Sequence, residues 1–194
     1  DDNEELLPIK HKIDHEIGGL PESLKTAIRM FVLARAIRLA REQHNEHNSM
    51  LVNVSRFTRI QGRIRNEIHL LLDSIVASIR VNGALDEESS MRDPAIQALH
   101  DVWELEYSHL ELAWGDVRPN LLRAAASTTV VEVNSSSAGK LNYGDNQKSG
   151  LNVIAVGGYA LSRGLTLEGL SISYVLRNSM MYDTLMQMGR WFGY

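Results

Sequence analysis

The sequence predicts an α/β fold in which a parallel β-sheet is flanked by helices. Four short apolar, β-prone runs have the length of buried strands, at residues 50–54, 128–133, 152–156 and 170–176. Helical patterns separate them, and this alternation is typical of a parallel sheet covered by helices. Chemistry in such sheets lies just beyond the carboxyl ends of the strands. That edge is expected to comprise Ser55 and Arg56, residues 134–135, residues 157–169 and residues 177–178.

Residues 1–49 are predicted to form an N-terminal helical segment. Proline is tolerated in the first turn of a helix, and Pro21 stands where such a turn would begin. Apolar residues then recur at three-to-four spacing over residues 24–40. These apolar residues cover a wide arc of the helix surface, so we expect this helix to pack on the rest of the domain.

The remaining residues, 50–194, are predicted to form the α/β lobe itself. Ser55 is expected to cap a long amphipathic helix that Asn82-Gly83 ends. A helical insertion is expected over residues 84–120, where Asp93-Pro94 begins a helix and the aromatic residues Trp103, Tyr107 and Trp114 pack the insertion. A last helix is expected at residues 180–188.

Composition limits the class of protein. A chain of 194 residues is long enough for one domain with a sizeable core. The net charge of −4 argues against a uniformly basic surface, so any nucleic-acid contact must come from a local patch. The absence of cysteine excludes disulfides and thiolate metal sites, and we expect no metal ligands. No signal peptide or apolar run of about 20 residues is evident, so we expect a cytoplasmic protein without a membrane partner. Both ends of the sequence look like cuts, which suggests a longer protein.

Three arginines follow the first strand at one-turn intervals. Arg56, Arg59 and Arg63 lie on the polar face of the predicted helix. Such a stripe just past a strand end could hold a phosphate backbone. The alternative is that these are solvated helix arginines without a partner.

The segment 156–170 combines glycines with an arginine. A glycine pair, Gly157-Gly158, ends a strand, and Arg163-Gly164 follows before the next one. Glycines allow backbone N–H groups to turn outward, and an arginine can meet a phosphate in a bidentate fork. The alternative is a tight connection whose glycines serve geometry alone.

Near the end of the sequence, Gln187 and Arg190 would lie one helical turn apart, with Gly189 allowing close backbone approach. An arginine that reaches the γ-phosphate of ATP offsets the charge that develops during phosphoryl transfer. The alternative is an ordinary arginine at a helix end, which the helix dipole favours.

Together these two segments resemble the Z1 domain, a family often labelled an endonuclease and associated with superfamily-two helicases. The near match covers residues 150–194, with Leu-Ser-Arg-Gly-Leu-Thr-Leu-Glu-Gly followed by Tyr-Asp-Thr-Leu-Met-Gln-Met-Gly-Arg-Trp-Phe-Gly-Tyr. In the wider helicase pattern, residues 50–56 resemble motif four, residues 162–164 motif five and residues 187–190 motif six. The resemblance implies a RecA-like lobe.

The resemblance also implies roles for individual residues. Arg190 would be the arginine finger, and Gln187 would position ATP or water. Nucleotide and nucleic-acid contacts would come from the motif-five and neighbouring residues Gly158, Ser162, Arg163, Gly164 and Gly189. Motif five usually has an aspartate near Thr166; this chain lacks it, and Glu168 is the candidate replacement. Motif six is one residue shorter than usual between its glutamine and glycine.

The function that these expectations define is the second RecA-like lobe of a nucleic-acid-dependent ATPase. ATP and Mg²⁺ would be used by the longer protein, whose first lobe lies upstream, and DNA rather than RNA is the expected nucleic acid. Two alternatives remain open. The chain could be a non-catalytic interaction module with a helicase-derived fold, or part of a nuclease whose active site lies elsewhere.

Overall fold

The computed structural model describes residues 7–8, 11–133, 141–158 and 166–176. Within them the chain forms, in order, α1 (Glu22–Ala40), β1 (Asn48–Asn53), α2 (Thr58–Asn82), α3 (Glu87–Ser90), α4 (Pro94–Glu106), α5 (Trp114–Val117), α6 (Leu121–Ala126), β2 (Thr129–Val133), β3 (Asn152–Gly157) and β4 (Leu170–Val175). Single 3-10 turns occur at Arg118–Asn120 and Gly144–Asn146. The helix expected at residues 180–188 lies outside this set.

The four strands form one sheet in the order β2-β3-β1-β4, and every neighbouring pair is parallel. The predicted fold class is confirmed: this is an α/β protein with a RecA-like arrangement of a parallel sheet and flanking helices. Both central strands, β1 and β3, are buried along their whole length. This explains why they appear in the sequence as continuous apolar runs rather than alternating ones.

The described helices share one core with one face of the sheet. Met50 and Val52 of β1, with Val54 just after the strand, point to this face and pack with α1, α2 and the helices that follow. The opposite face carries a smaller cluster around Leu51 and Ala155. In α1, ten of 19 residues are buried, so the expectation that it packs on the rest of the domain is confirmed.

The start of α2 corrects one sequence prediction. The helix begins at Thr58 after Phe57, and no side chain caps its first turn. Ser55 lies too early for that role; its Oγ instead accepts a hydrogen bond from the Phe57 amide at 3.1 Å. At the other end the prediction holds, because Gly83 ends the helix and donates to the Ile79 carbonyl at 2.8 Å.

The region after α2 is helical, as predicted. Asp93 caps α4 by accepting from the amides of Ala95 and Ile96. Trp103 and Trp114 are buried with their rings 6.1 Å apart, which confirms that these aromatics pack this region. Helical structure also extends beyond residue 120 into α6.

The burial of Tyr107 should make the stability of the fold depend on pH. Its hydroxyl donates to the Met30 carbonyl at 3.2 Å, and burial, with a smaller contribution from Glu106, raises the pKa of Tyr107 to about 12. In the unfolded chain a tyrosine ionises near pH ~10, so the unfolded state loses this proton first. We therefore expect the free energy of unfolding to fall between about pH 10 and 12. In urea denaturation over this pH range, the free energy of unfolding should fall less for Tyr107→Phe than for the unaltered chain. Equal falls in the two proteins would contradict the role given to Tyr107.

Candidate functional site at the carboxyl edge of the sheet

The carboxyl ends of the described strands meet at one edge, which is where functional residues were expected. Asn53, the last residue of β1, lies beside Gly157 of β3 and Val175 of β4. The amide of Val54 then donates to the Gly157 carbonyl at 2.9 Å, so pairing continues one residue past β1. The chain turns from there through Ser55 into α2.

Gly158 packs directly against this turn. A Cβ atom at position 158 would lie 2.2 Å from the carbonyl oxygen of Ser55 and 2.9 Å from Nε2 of Gln61. That Nε2 donates to the same Ser55 carbonyl at 2.6 Å. The glycine therefore allows two backbone segments to approach, which is the geometric interpretation of the glycine pair. A nucleotide contact at Gly158 stays a prediction.

Two buried amide side chains at this edge were not anticipated from the sequence. Asn53 is 2% exposed and Gln61 4% exposed. Within the described part of the chain, neither Oδ1 of Asn53 nor Oε1 of Gln61 has a hydrogen-bond partner. The available signal was a polar residue at the end of an apolar strand, and another on the apolar side of a helix.

The predicted basic stripe lies at this edge, and its three arginines differ. Arg56 and Arg59 are exposed, and the Arg56 guanidinium carbon lies 4.7 Å above the centre of the Phe57 ring. Arg63 is half-buried, and its Nη1 donates to the main-chain carbonyl of His15 at 2.6 Å. Arg63 is therefore not a purely solvated arginine, and it is already engaged by the N-terminal segment.

Glu168 corrects the expectation that residues 157–169 all lie at the carboxyl edge. Ser49, near the start of β1, donates through Oγ to the Glu168 carbonyl at 2.7 Å, and its amide donates to Gly169 at 2.9 Å. Glu168 thus lies at the amino edge, about 16 Å from Asn53 along β1. The reason is topological: a chain that enters a parallel strand must first return to the edge where all the strands begin.

At that amino edge Glu168 belongs to a polar cluster. Its Oε2 lies 3.6 Å from Nε2 of His47, whose Nδ1 accepts from the Leu151 amide at 2.8 Å. The His47 ring also meets the edge of Tyr143, with ring centres 5.0 Å apart. These contacts hold the beginnings of the strands together. Over the described ranges, no group of three or more His, Cys, Asp or Glu could hold a metal ion.

Six predicted site residues fall outside the residues that the structure describes: Ser162, Arg163, Gly164, Gln187, Gly189 and Arg190. Of the predicted site, the structure therefore brings together Gly158, Arg56, Arg59 and Arg63 near one turn. It separates Glu168 from them.

The fold and this edge define the class: an α/β protein with a RecA-like parallel sheet and a basic helix start beyond its central strand. Residues 23–194 match the family model of the Z1 domain, so the chain belongs to the Z1 domain family. The family resemblance noted in the sequence is thus confirmed. No curated protein and no solved structure shows significant similarity to the chain. Among the helices that the structure describes, none has both the length and the apolarity to cross a membrane.

Proposed function

We propose that this chain is the second RecA-like lobe of a nucleic-acid-dependent ATPase, and that it contacts a DNA backbone through the start of α2. The observation that carries the proposal is the basic start of α2, with Arg56 two residues before the helix and Arg59 in its first turn, just past the carboxyl end of the central strand β1. Arg56 and Arg59 are exposed there, and Arg63 lies one turn further along the helix.

The electrostatics of this turn favour an anion. No side chain caps the helix, and its first turn contains no acidic residue. No residue of the helix's own first turn therefore offsets the positive end of its dipole, and the Glu132 carboxylate lies near Gly62, one turn further along. Phosphate contacts would come from the exposed arginine side chains. Contacts of this kind position a phosphate backbone but do not read sequence. The proposed binding is accordingly electrostatic and dependent on salt.

The ATP part of the proposal rests on the family resemblance rather than on these contacts. Of the residues expected to meet nucleotide, Gly158 is packed on the Ser55 carbonyl, and Glu168 lies at the opposite edge of the sheet. In the described residues these two do not form one nucleotide site. We propose that Arg163, Gly164, Gly189 and Arg190 supply the contacts, with ATP and Mg²⁺ held mainly by an upstream first lobe.

DNA binding by the chain tests the nucleic-acid contact. We expect the double variant Arg56→Ala/Arg59→Ala to bind a fluorescent oligonucleotide more weakly than the unaltered chain. Each lost phosphate contact should reduce the slope of log K against log salt by about 0.7 for single-stranded and 0.9 for double-stranded DNA. For two lost contacts the slope should thus fall by about 1.4 with single-stranded and about 1.8 with double-stranded DNA. Anisotropy titrations at several salt concentrations measure it.

Arg80→Ala is the matched control, because Arg80 is exposed at the opposite end of the same helix. It removes one positive charge from the same element but not from the basic turn. If Arg80→Ala lowers the slope as much as Arg56→Ala alone, the binding is diffuse and the proposed interface is wrong. No measurable binding at low salt would also reject it.

A second candidate is a non-catalytic interaction module with the same fold. The observation that favours it is the position of Glu168, because the carboxylate proposed to replace the motif-five aspartate is not at the carboxyl edge. The module and the motor differ in ATP turnover by the full-length protein. A folded protein supplied with Mg²⁺ and DNA that hydrolyses no ATP would favour the module.

A further inference from the structure

The chain's own N-terminal segment lies on the proposed DNA-binding turn. We call residues 11–20 the cover segment. Nε2 of His11 is 2.7 Å from Oγ of Ser55, and the His11 ring meets the edge of Phe57 with centres 5.7 Å apart. One turn further along α2, Arg63 donates to the His15 carbonyl at 2.6 Å. Two separate contacts therefore hold the cover segment to the start of α2.

Both ring nitrogens of His11 have hydrogen-bond partners. Nδ1 donates to the Pro8 carbonyl at 2.8 Å, since a carbonyl can only accept. Nε2 shares a hydrogen bond with the Ser55 hydroxyl, whose oxygen also accepts from the Phe57 amide. His11 is thus linked through Ser55 to the backbone immediately before α2.

Charge distinguishes this segment from the rest of the chain. The first 20 residues contain six acidic and two basic side chains, whereas the other 174 contain 18 of each. All of the net charge of −4 is therefore carried by the first 20 residues. In the cover segment itself, Asp14 and Glu16 are exposed. With Lys12 as its one basic side chain, the segment that lies against the basic helix start has a net charge of −1.

We propose that the cover segment is a built-in competitor for this surface: a DNA backbone and the cover segment bind the start of α2 in mutually exclusive ways. The inference rests on the proposed function and adds its regulation. Arg63 has further donors, but its guanidinium is held against the cover backbone, and phosphates would meet the carboxylates of that segment. Because DNA binds only uncovered chains, the apparent DNA affinity is the intrinsic affinity multiplied by the fraction of chains that are uncovered.

His11→Ala in the full chain tests the competition. Loss of one hydrogen bond and one ring contact should raise the apparent DNA affinity about fivefold, because covering becomes less favourable. His109→Ala is the matched control, since His109 is an exposed histidine after α4, and it should bind as the unaltered chain does. An equal affinity for His11→Ala and the unaltered chain, with binding still sensitive to Arg56 and Arg59, overturns the cover inference and leaves the proposed function in place. Absence of binding by every variant rejects both.

A second measurement does not depend on a substitution. Trypsin cleaves after Lys12, and the cover contacts on both sides of Lys12 should slow this cleavage in the free chain. Adding a DNA oligonucleotide should accelerate cleavage after Lys12, because the cover segment is released as DNA binds. Slower or unchanged cleavage in the presence of bound DNA would show that DNA and the cover segment coexist, and would overturn the inference.

Discussion

Replacement of Arg190 by alanine is expected to lower DNA-stimulated ATP turnover of the full-length protein by about 10²-fold or more. The motif-six resemblance assigns to Arg190 the guanidinium that offsets charge developing on the transferred phosphate. Contributions of ~10³–10⁵ in rate are known for such arginines in GTPases. The measurement is steady-state turnover with single-stranded DNA, with double-stranded DNA and without DNA, before and after the substitution.

Arg92→Ala serves as the control for this experiment, because Arg92 is exposed in the helical region and forms an ion pair at 3.2 Å with the likewise exposed Glu88. It should leave turnover unchanged. Turnover that does not depend on Arg190 would leave the ATPase proposal in place but assign the arginine-finger role to another arginine. This outcome has a basis in the sequence, since the place of the second motif-six arginine falls on Gly193.

Local patterns were sufficient to predict most of the fold. Each predicted strand has its observed counterpart within two residues at either end. The central strands β1 and β3 are continuous apolar runs of strand length, whereas the edge strands β2 and β4 are less buried and mix apolar with polar residues. Turn and cap chemistry also identified Asp93 and Gly83 at helix ends. The cap at Ser55 was wrong because a serine three residues before a helix can bond the intervening backbone instead, as its contact with the Phe57 amide shows.

The sequence could predict the candidate site only where its residues are close together in the chain. Arg56, Arg59 and Arg63 lie within eight residues of one another, so closeness in sequence alone places them together. The helix begins only at Thr58, however, so Arg56 precedes it and the prediction that Arg56 lies on the helix was wrong. The contact of His11 with Ser55 joins residues 44 apart in the sequence, and no periodicity encodes it. Glu168 was misplaced for a different reason: its spacing from motif five was considered, but not the return of the chain to the amino edge before β4.

Gly158 offers a direct test of what the glycine pair does. We expect Gly158→Ala to lower the free energy of unfolding by about 1–3 kcal/mol, the typical cost of overpacking a tight site. The new methyl group would meet the Ser55 carbonyl oxygen at 2.2 Å, and this backbone atom cannot move without shifting the turn between β1 and α2. Urea denaturation measures the change as a shift in the midpoint urea concentration, with the slope of the free energy of unfolding against urea unchanged.

Gly115→Ala is the matched control for that substitution. Nothing lies within 4 Å of a Cβ at Gly115, which is in helix α5, where alanine is favoured over glycine by up to ~1 kcal/mol. The control should therefore be neutral or slightly stabilising. If Gly158→Ala is instead as stable as the unaltered chain while DNA-stimulated ATP turnover is lost, Gly158 contacts a ligand and the packing explanation is wrong. A loss of stability with turnover per folded molecule retained would establish that the glycine serves backbone geometry at this edge.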